Sequence, residues 1–266
     1  MTQVQRITPL LTAMHRYEKT ISTWQRGHGQ MIDAPILAYL IETRNGRVLY
    51  DVGCDHAKVA DPLLRDRHYG ALGMPPPDMR DDQRVPQHLA RLGLTPADID
   101  LIFIGHLHFD HAGGLKDLRR CGCGAEIHVQ LDEWRAATSG DDGAVFQDDL
   151  IDDAGLPLQF ALHHGEYSVL PGIEAIASPG HTAGHMSLWI EQPDGRPVLL
   201  CGDAADLQEN LDEEIAPGTL WQGRESQAID SIRKLKTLAR ETGATLWPNH
   251  DIAFWRGLTT TQPVTP

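Results

Sequence analysis

GHLHFDHAGG, residues 105–114, sets His106, His108, Asp110 and His111 within six positions. Buried imidazoles need partners, and a buried carboxylate without one is costly. A cation pairs all four groups at once, and imidazole nitrogen and carboxylate oxygen suit zinc and similar first-row ions. The preceding run, DLIFI (100–104), is a short apolar segment suited to a buried strand, so the motif lies at a strand's C-terminal end. His106 and His108, two residues apart, point the same way. Asp110 and His111 fall on the turn into a helix and face elsewhere. Two ligand sets imply two ions a few ångströms apart, which need more ligands than these four.

Further candidates stand at other expected strand ends: His181 in SPGHTAGH, Asp203 in LLCGDA and His250 in WPNHD. Gathering ligands at the carboxyl ends of strands is where α/β architectures build sites. The rest of the chain supplies such strands. PILAYLIET (35–43) and RVLYDVG (47–53) read as a hairpin, with Asn45-Gly46 supplying positive φ angles at the turn. GIEAIASPGH (172–181), HMSLWIEQ (185–192), RPVLLCGDA (196–204) and ATLWPNHD (244–251) read as strands, and EIHVQLDEW (126–134) as strand then helix. VPQHLARLG (85–93) is a short helix closed by Gly93, and Thr95 with Pro96 starts another turn. RESQAIDSIRKLKTLARETG (224–243) is an amphipathic scaffold helix with Ile229, Ile232, Leu235, Leu238 and Ala239 on one face.

Two stretches resist assignment. Residues 61–83, rich in Pro, Gly and charge, are expected as a long loop, a lid or substrate wall, and 135–168 is acidic and irregular. Trp24, His28 and Met31 precede the first expected strand and either line an acyl-chain pocket or simply pack. The pattern suits an α+β class: an αββα sandwich of two mixed β-sheets flanked by helices, in one domain spanning 1–266.

Composition narrows the function classes. With 37 acidic and 23 basic side chains the net charge is −14, which repels nucleic acid and anionic lipid. No apolar run reaches the ~18 residues of a membrane span, and the N-terminus lacks the pattern of a secretory signal. Cys54, Cys121, Cys123 and Cys201 form no disulfide framework, so a cytoplasmic location with reduced thiols is expected. CGCG (121–124) reads as an exposed turn, Cys54 and Cys201 as small buried residues, and His163-His164 as surface residues.

HLHFDH (106–111), PGHTAGH (179–185), GDA (202–204) and NHD (249–251) together resemble the metal-binding signature of the metallo-β-lactamase superfamily. Within it the chain looks most like bacterial N-acyl-homoserine lactone lactonases, over most of residues 34–255 with gaps at 61–83 and 135–168. The resemblance implies the metallo-β-lactamase fold and two Zn²⁺ per chain, other divalent first-row metals being compatible. His106, His108 and His181 would hold one ion, Asp110, His111 and His250 the second, and Asp203 would bridge them. Asp51 would sit near the site in a supporting role, and His185 would make hydrogen bonds behind the ligands rather than bind metal.

The activity so implied is opening of a lactone ring, first of all an N-acyl-homoserine lactone (quorum quenching), by a metal-bridging hydroxide. Paired zinc ions lower the pKa of a shared water from about 15.7 toward 7. Asp110 and Asp203 would be the catalytic carboxylates, Asp110 shuttling the proton to the leaving alkoxide. Phe109 would pack at the pocket floor, within reach of substrate. One departure stands out: where the lactonases often carry a tyrosine three residues after the bridging aspartate, this chain has Asp206. An ionised carboxylate there repels a developing oxyanion. Asp206 is then either a partner for a cationic substrate group or a solvated loop residue.

The alternative is therefore hydrolysis of a different small lactone, a cyclic amide or a thioester. An iron oxidoreductase is disfavoured by the all-imidazole pair His106 and His108, a decayed scaffold by the complete ligand set, and a nuclease by the acidic balance. The expected partner is a small-molecule lactone, with no nucleic acid and no membrane. A homodimer is compatible with the sequence.

Overall fold

In the computed structural model, which describes residues 3–261, eleven strands form two sheets. Residues 1, 2 and 262–266, the ends of the expected 1–266 domain, lie outside the described residues. The first sheet runs β1 (Val4–Glu18), β2 (Met31–Thr43), β3 (Gly46–Tyr50), β4 (Leu101–Phe103), β5 (Glu126–Gln130) and β6 (Phe160–His163), side by side in that order. The second contains β7 (Tyr167–Leu170), β8 (Ile173–Ala177), β9 (Met186–Ile190), β10 (Val198–Leu200) and β11 (Thr245–Trp247), ordered β11-β10-β9-β8-β7. Both are mixed. β3, β4, β5 and β6 pair in parallel behind the antiparallel β1-β2-β3 meander, and β10 pairs in parallel with β11 but antiparallel to β9.

Alternation along the strands builds three apolar layers. Tyr39, Ile41, Val48, Tyr50, Leu101 and Phe103 face the second sheet, meeting Ile173, Met186, Leu188, Val198, Leu200 and Trp247. Their neighbours Leu40, Leu49, Ile102 and Ile127 turn outward onto the helices Val85–Arg91 and Leu115–Arg120. On the far side, Leu199 and Cys201 pack against Ile232 and Leu235 of the helix Glu225–Thr242, which Gly243 closes in the left-handed conformation. This is the expected αββα sandwich.

Four local expectations need correction. The hairpin turn uses positive φ at Gly46 (140°) alone, and Asn45 instead donates its N–H to Thr43 Oγ1 (3.0 Å). Residues 61–72 are largely helical: Asp61 caps Leu63 and Leu64, and the helix runs into a π-turn at Asp66–Gly70. The irregular stretch 135–168 contains the end of the helix Leu131–Ser139 and all of β6. Finally, residues 4–18 form a strand ahead of the expected first one, so Trp24, His28 and Met31 follow the first strand rather than precede it. Pro9 lies within β1, where it forfeits a ladder donor; β1 is an edge strand and tolerates this.

All four cysteines are free, and Cys123 is buried in the core while Cys121 is exposed. His164 is exposed, but His163 is half-buried and stacks on Tyr167 at 4.0 Å. Among the described residues no helix is long and apolar enough to cross a membrane.

Candidate metal centre

The site lies where the two sheets meet at their strand ends. Beyond β4 the chain runs through Gly105 to His106 and His108, then turns into the short helix Phe109–Ala112, which carries Asp110 and His111. The paired glycines that follow are required by contact. A Cβ at Gly114 would lie 2.2 Å from the Val52 carbonyl oxygen, and one at Gly113 would lie 2.4 Å from that of Phe109. His181 comes from the turn joining β8 to β9, Asp203 from a 3-10 turn (Gly202–Ala204) after β10, and His250 from the segment after β11. All but Asp110 are buried.

The seven predicted ligands converge as two sets. His181 Nε2 lies 3.2 Å from His106 Nε2 and 3.1 Å from His108 Nδ1. Asp110 Oδ2 lies 3.7 Å from both His111 Nε2 and His250 Nε2. Asp203 stands between the sets. Its Oδ2 faces His181 Nε2 (3.4 Å) and His106 Nε2 (3.8 Å), and its Oδ1 faces His111 Nε2 and His250 Nε2, each at 3.2 Å.

Four of the five rings are fixed from behind by oxygen acceptors. His111 Nδ1 meets Asp51 Oδ2 (2.7 Å), and His108 Nε2 meets Asp142 Oδ2 (3.0 Å). His181 Nδ1 meets the Thr219 carbonyl (3.1 Å), and His250 Nδ1 the Pro35 carbonyl (2.8 Å). With a cation bound at the centre, each of these bonds would keep a proton on the far nitrogen and leave a lone pair for the ion. Asp51 also accepts the Gly105 N–H at 2.8 Å, with its backbone at φ 57°, outside the usual range for a side-chain-bearing residue. His185 is no part of either set. Its Nε2 accepts the Asp203 N–H (2.9 Å) and its Nδ1 meets Ser178 Oγ (2.9 Å).

Electrostatics sharpen the need for a cation. Burial lowers His106 well below the usual imidazole range and His181 to about 3. Burial also opposes charge on His250, yet Asp203, Asp206 and Asp110 bring it up to about 10. Against burial, His111, His250 and His106 hold Asp203 well below the usual carboxylate range. Protons thus sit among the carboxylates where a divalent ion would serve better. His106 Nε2, His108 Nδ1 and His181 Nε2 crowd together, and buried His111 Nε2 has no hydrogen-bond partner, so the donor set fits two first-row ions.

Four contributors stand outside the residues singled out from sequence. Asp142 orients His108 from the acidic stretch. Glu133, buried in the helix Leu131–Ser139, accepts the N–H groups of Leu107 (2.9 Å) and Gly184 (3.0 Å) and ties the two histidine loops together. His15 and Tyr17 of β1 line the cavity beside the ligands. That cavity, about 100 Å³, also has Ile21, Met74, Phe109 and Asp206 in its wall. Phe109 stacks on Phe146 at 5.1 Å, and Asp206 is 3% exposed, so it is no solvated loop residue. Trp24, His28 and Met31 do not line the cavity. Of the 61–83 segment, Met74 reaches its wall.

We expect Asp51→Asn to lower metal affinity or activity by about 10–100-fold, the usual cost of losing a partner behind a ligand. Asparagine tolerates the positive φ but offers one acceptor oxygen to two donors, Gly105 N–H and His111 Nδ1–H. Chelator competition and kcat/KM measured on the same preparation would check this; values matching the parent protein would contradict it.

A sequence profile of the metallo-β-lactamase superfamily matches residues 32–250. The chain is 33% identical over 231 residues, 86% of each chain, to an N-acyl homoserine lactonase of Bacillus sp.. It is 30% identical over 237 residues to the N-acyl homoserine lactonase AttM of Azorhizobium caulinodans, covering 86% of this chain and 87% of that one. Among solved structures, an N-acyl homoserine lactone hydrolase with N-hexanoyl-L-homoserine bound at its catalytic metal centre superposes with a TM-score of 0.83, at 27% identity over 97% of each chain.

Proposed function

Because the chain belongs to the metallo-β-lactamase superfamily and is a hydrolase of it, we propose that it opens lactone rings with a dinuclear metal centre, N-acyl-homoserine lactones first among them. The observation that carries the reading is Asp203, one oxygen turned to each histidine set. His106, His108 and His181 would hold one ion, and Asp110, His111 and His250 the other, zinc being the ion these donors suit best. Such ions, when bound, supply Lewis acidity toward a carbonyl oxygen and a water acidified toward neutrality.

The chain's own residues do the rest. Asp110, at the cavity wall, accepts the proton of the attacking water and returns it to the leaving alkoxide oxygen. Phe109, with Ile21 and Met74, gives the ring and the start of an acyl chain an apolar wall. Asn249 Nδ2 donates to Asp203 Oδ1 (2.9 Å) and, with His185, keeps that carboxylate in place. The catalytic unit spans both halves of the chain, as the origin of the ligands requires.

Asp206 favours a second reading in which the substrate is another small lactone, a cyclic amide or a thioester, since no phenol stands three residues after Asp203. A substrate panel followed by proton release separates the two. We expect ring opening of N-acyl-homoserine lactones with the hydroxy acid as product, and about two metal ions per chain by elemental analysis. No turnover across acyl-chain lengths, with other lactones or thioesters hydrolysed, would select the second reading. A chain binding no metal would overturn both.

A further inference from the structure

We infer that Asp206 is an eighth ligand, a second non-bridging carboxylate for the ion held by Asp110, His111 and His250. This rests on the dinuclear reading above and adds to it a donor that the seven-residue pattern lacks. The backbone places it. After the turn carrying Asp203 the chain extends at Ala205, and the Ala205 and Asp206 carbonyls accept the N–H groups of Asn249 (3.1 Å) and His250 (2.8 Å). The two segments are thereby held alongside each other, and the Asp206 side chain enters the cavity next to His250.

An oxygen of Asp206, an oxygen of Asp203 and a ring nitrogen of His250 lie within 4.8 Å of one another. The same span encloses His106, His108 and His181, and also Asp110, His111 and His250. Asp206 Oδ1 is buried and accepts no hydrogen bond. Among the described residues no lysine or arginine lines the cavity to pair with it. A carboxylate brought out of water needs a cation or a set of donors. Ser22 gives the carboxyl one hydrogen bond and His250 stands beside it, which leaves Oδ1 free for the ion that His250 would help to hold. A carboxylate also explains the departure from tyrosine: it binds metal directly, where a phenol at this position would serve the substrate.

The test compares the full-length protein with Asp206→Asn, close in shape but a poor ligand, and Asp206→Glu, which keeps the carboxylate. Each is loaded with Zn²⁺ and dialysed against graded chelator, and metal per chain is measured. In Asp206→Asn we expect the more weakly held ion to be lost at about 10–100-fold lower chelator strength while the other is retained. Asp206→Glu should recover part of the difference. With Co²⁺ in place of Zn²⁺, the visible absorption should intensify in Asp206→Asn as the coordination number falls. Unchanged chelator resistance and an unchanged Co²⁺ spectrum in Asp206→Asn, with the parent protein binding two ions, would overturn this inference and leave the dinuclear hydrolase standing. A parent protein that binds no ion pair would remove both.

Discussion

Asp203→Asn is expected to cut kcat/KM by on the order of 10³-fold or more, at the upper end of what losing one preorganised electrostatic contact costs. The substitution keeps the size of the side chain and removes its charge. Among the described residues Asp203 is the only carboxylate with an oxygen toward each histidine set, at 3.2 Å from His111 and His250 on one side and 3.4 Å from His181 on the other. An amide offers one acceptor oxygen and turns a donor toward the opposite ring nitrogens or cation. Metal content should fall below two ions per chain in the same sample. Retention of both ions at parental activity would contradict the bridging assignment.

Lys58→Met is expected to destabilise the fold by about 3–5 kcal/mol, the usual result of removing one partner of a buried ion pair. Lys58 is 3% exposed, with Nζ 2.5 Å from Asp149 Oδ1, 2.7 Å from Asp148 Oδ1 and 5.1 Å from the centre of the Phe146 ring. Burial, opposed by Lys58, leaves Asp149 at about 7, above its ordinary 3.8. A carboxyl raised in the folded state favours folding at low pH and loses that contribution as pH rises through its folded value. Without Lys58 the folded value climbs further. The variant should therefore lie closer to the parent at pH 5 than at pH 8, by chemical denaturation at each. Equal losses at both pH values would argue that Asp149 is not the orphaned charge. The defect should reach the metal centre too, because Phe146 stacks on Phe109, which stands between His108 and Asp110.

The convergence of the seven candidate ligands was legible because they form a dense local motif with echoes at strand ends, and the strands because apolar runs between turn residues have few other uses. What orients the ligands was not legible. Glu133 reads as an exposed helical charge, since acidic side chains are seldom fully buried. Its donors, the N–H groups of Leu107 and Gly184, become neighbours only once the sheets pack. Asp142 is indistinguishable in sequence from Asp141 beside it, and only the chain path after Gly140 decides which meets His108. β1 was hidden by Pro9 and by weak alternation, and with it went Tyr17 and His15 of the cavity wall. Asp206 was seen as a departure, but its burial depends on the pairing of residues 205–206 with 249–250.

The four candidate ligands in 106–111 follow a strand of the first sheet, whereas His181, Asp203 and His250 belong to loops of the second. Each proposed ion would therefore act as a rivet through the sandwich, joining halves otherwise held by the apolar seam between them. An ion at 1,000 times its dissociation constant adds about 4 kcal/mol of cohesion per site. Metal scarcity would then do more than idle this enzyme: it would loosen the join between its sheets, and the protein's lifetime in a cell would follow the supply of metal.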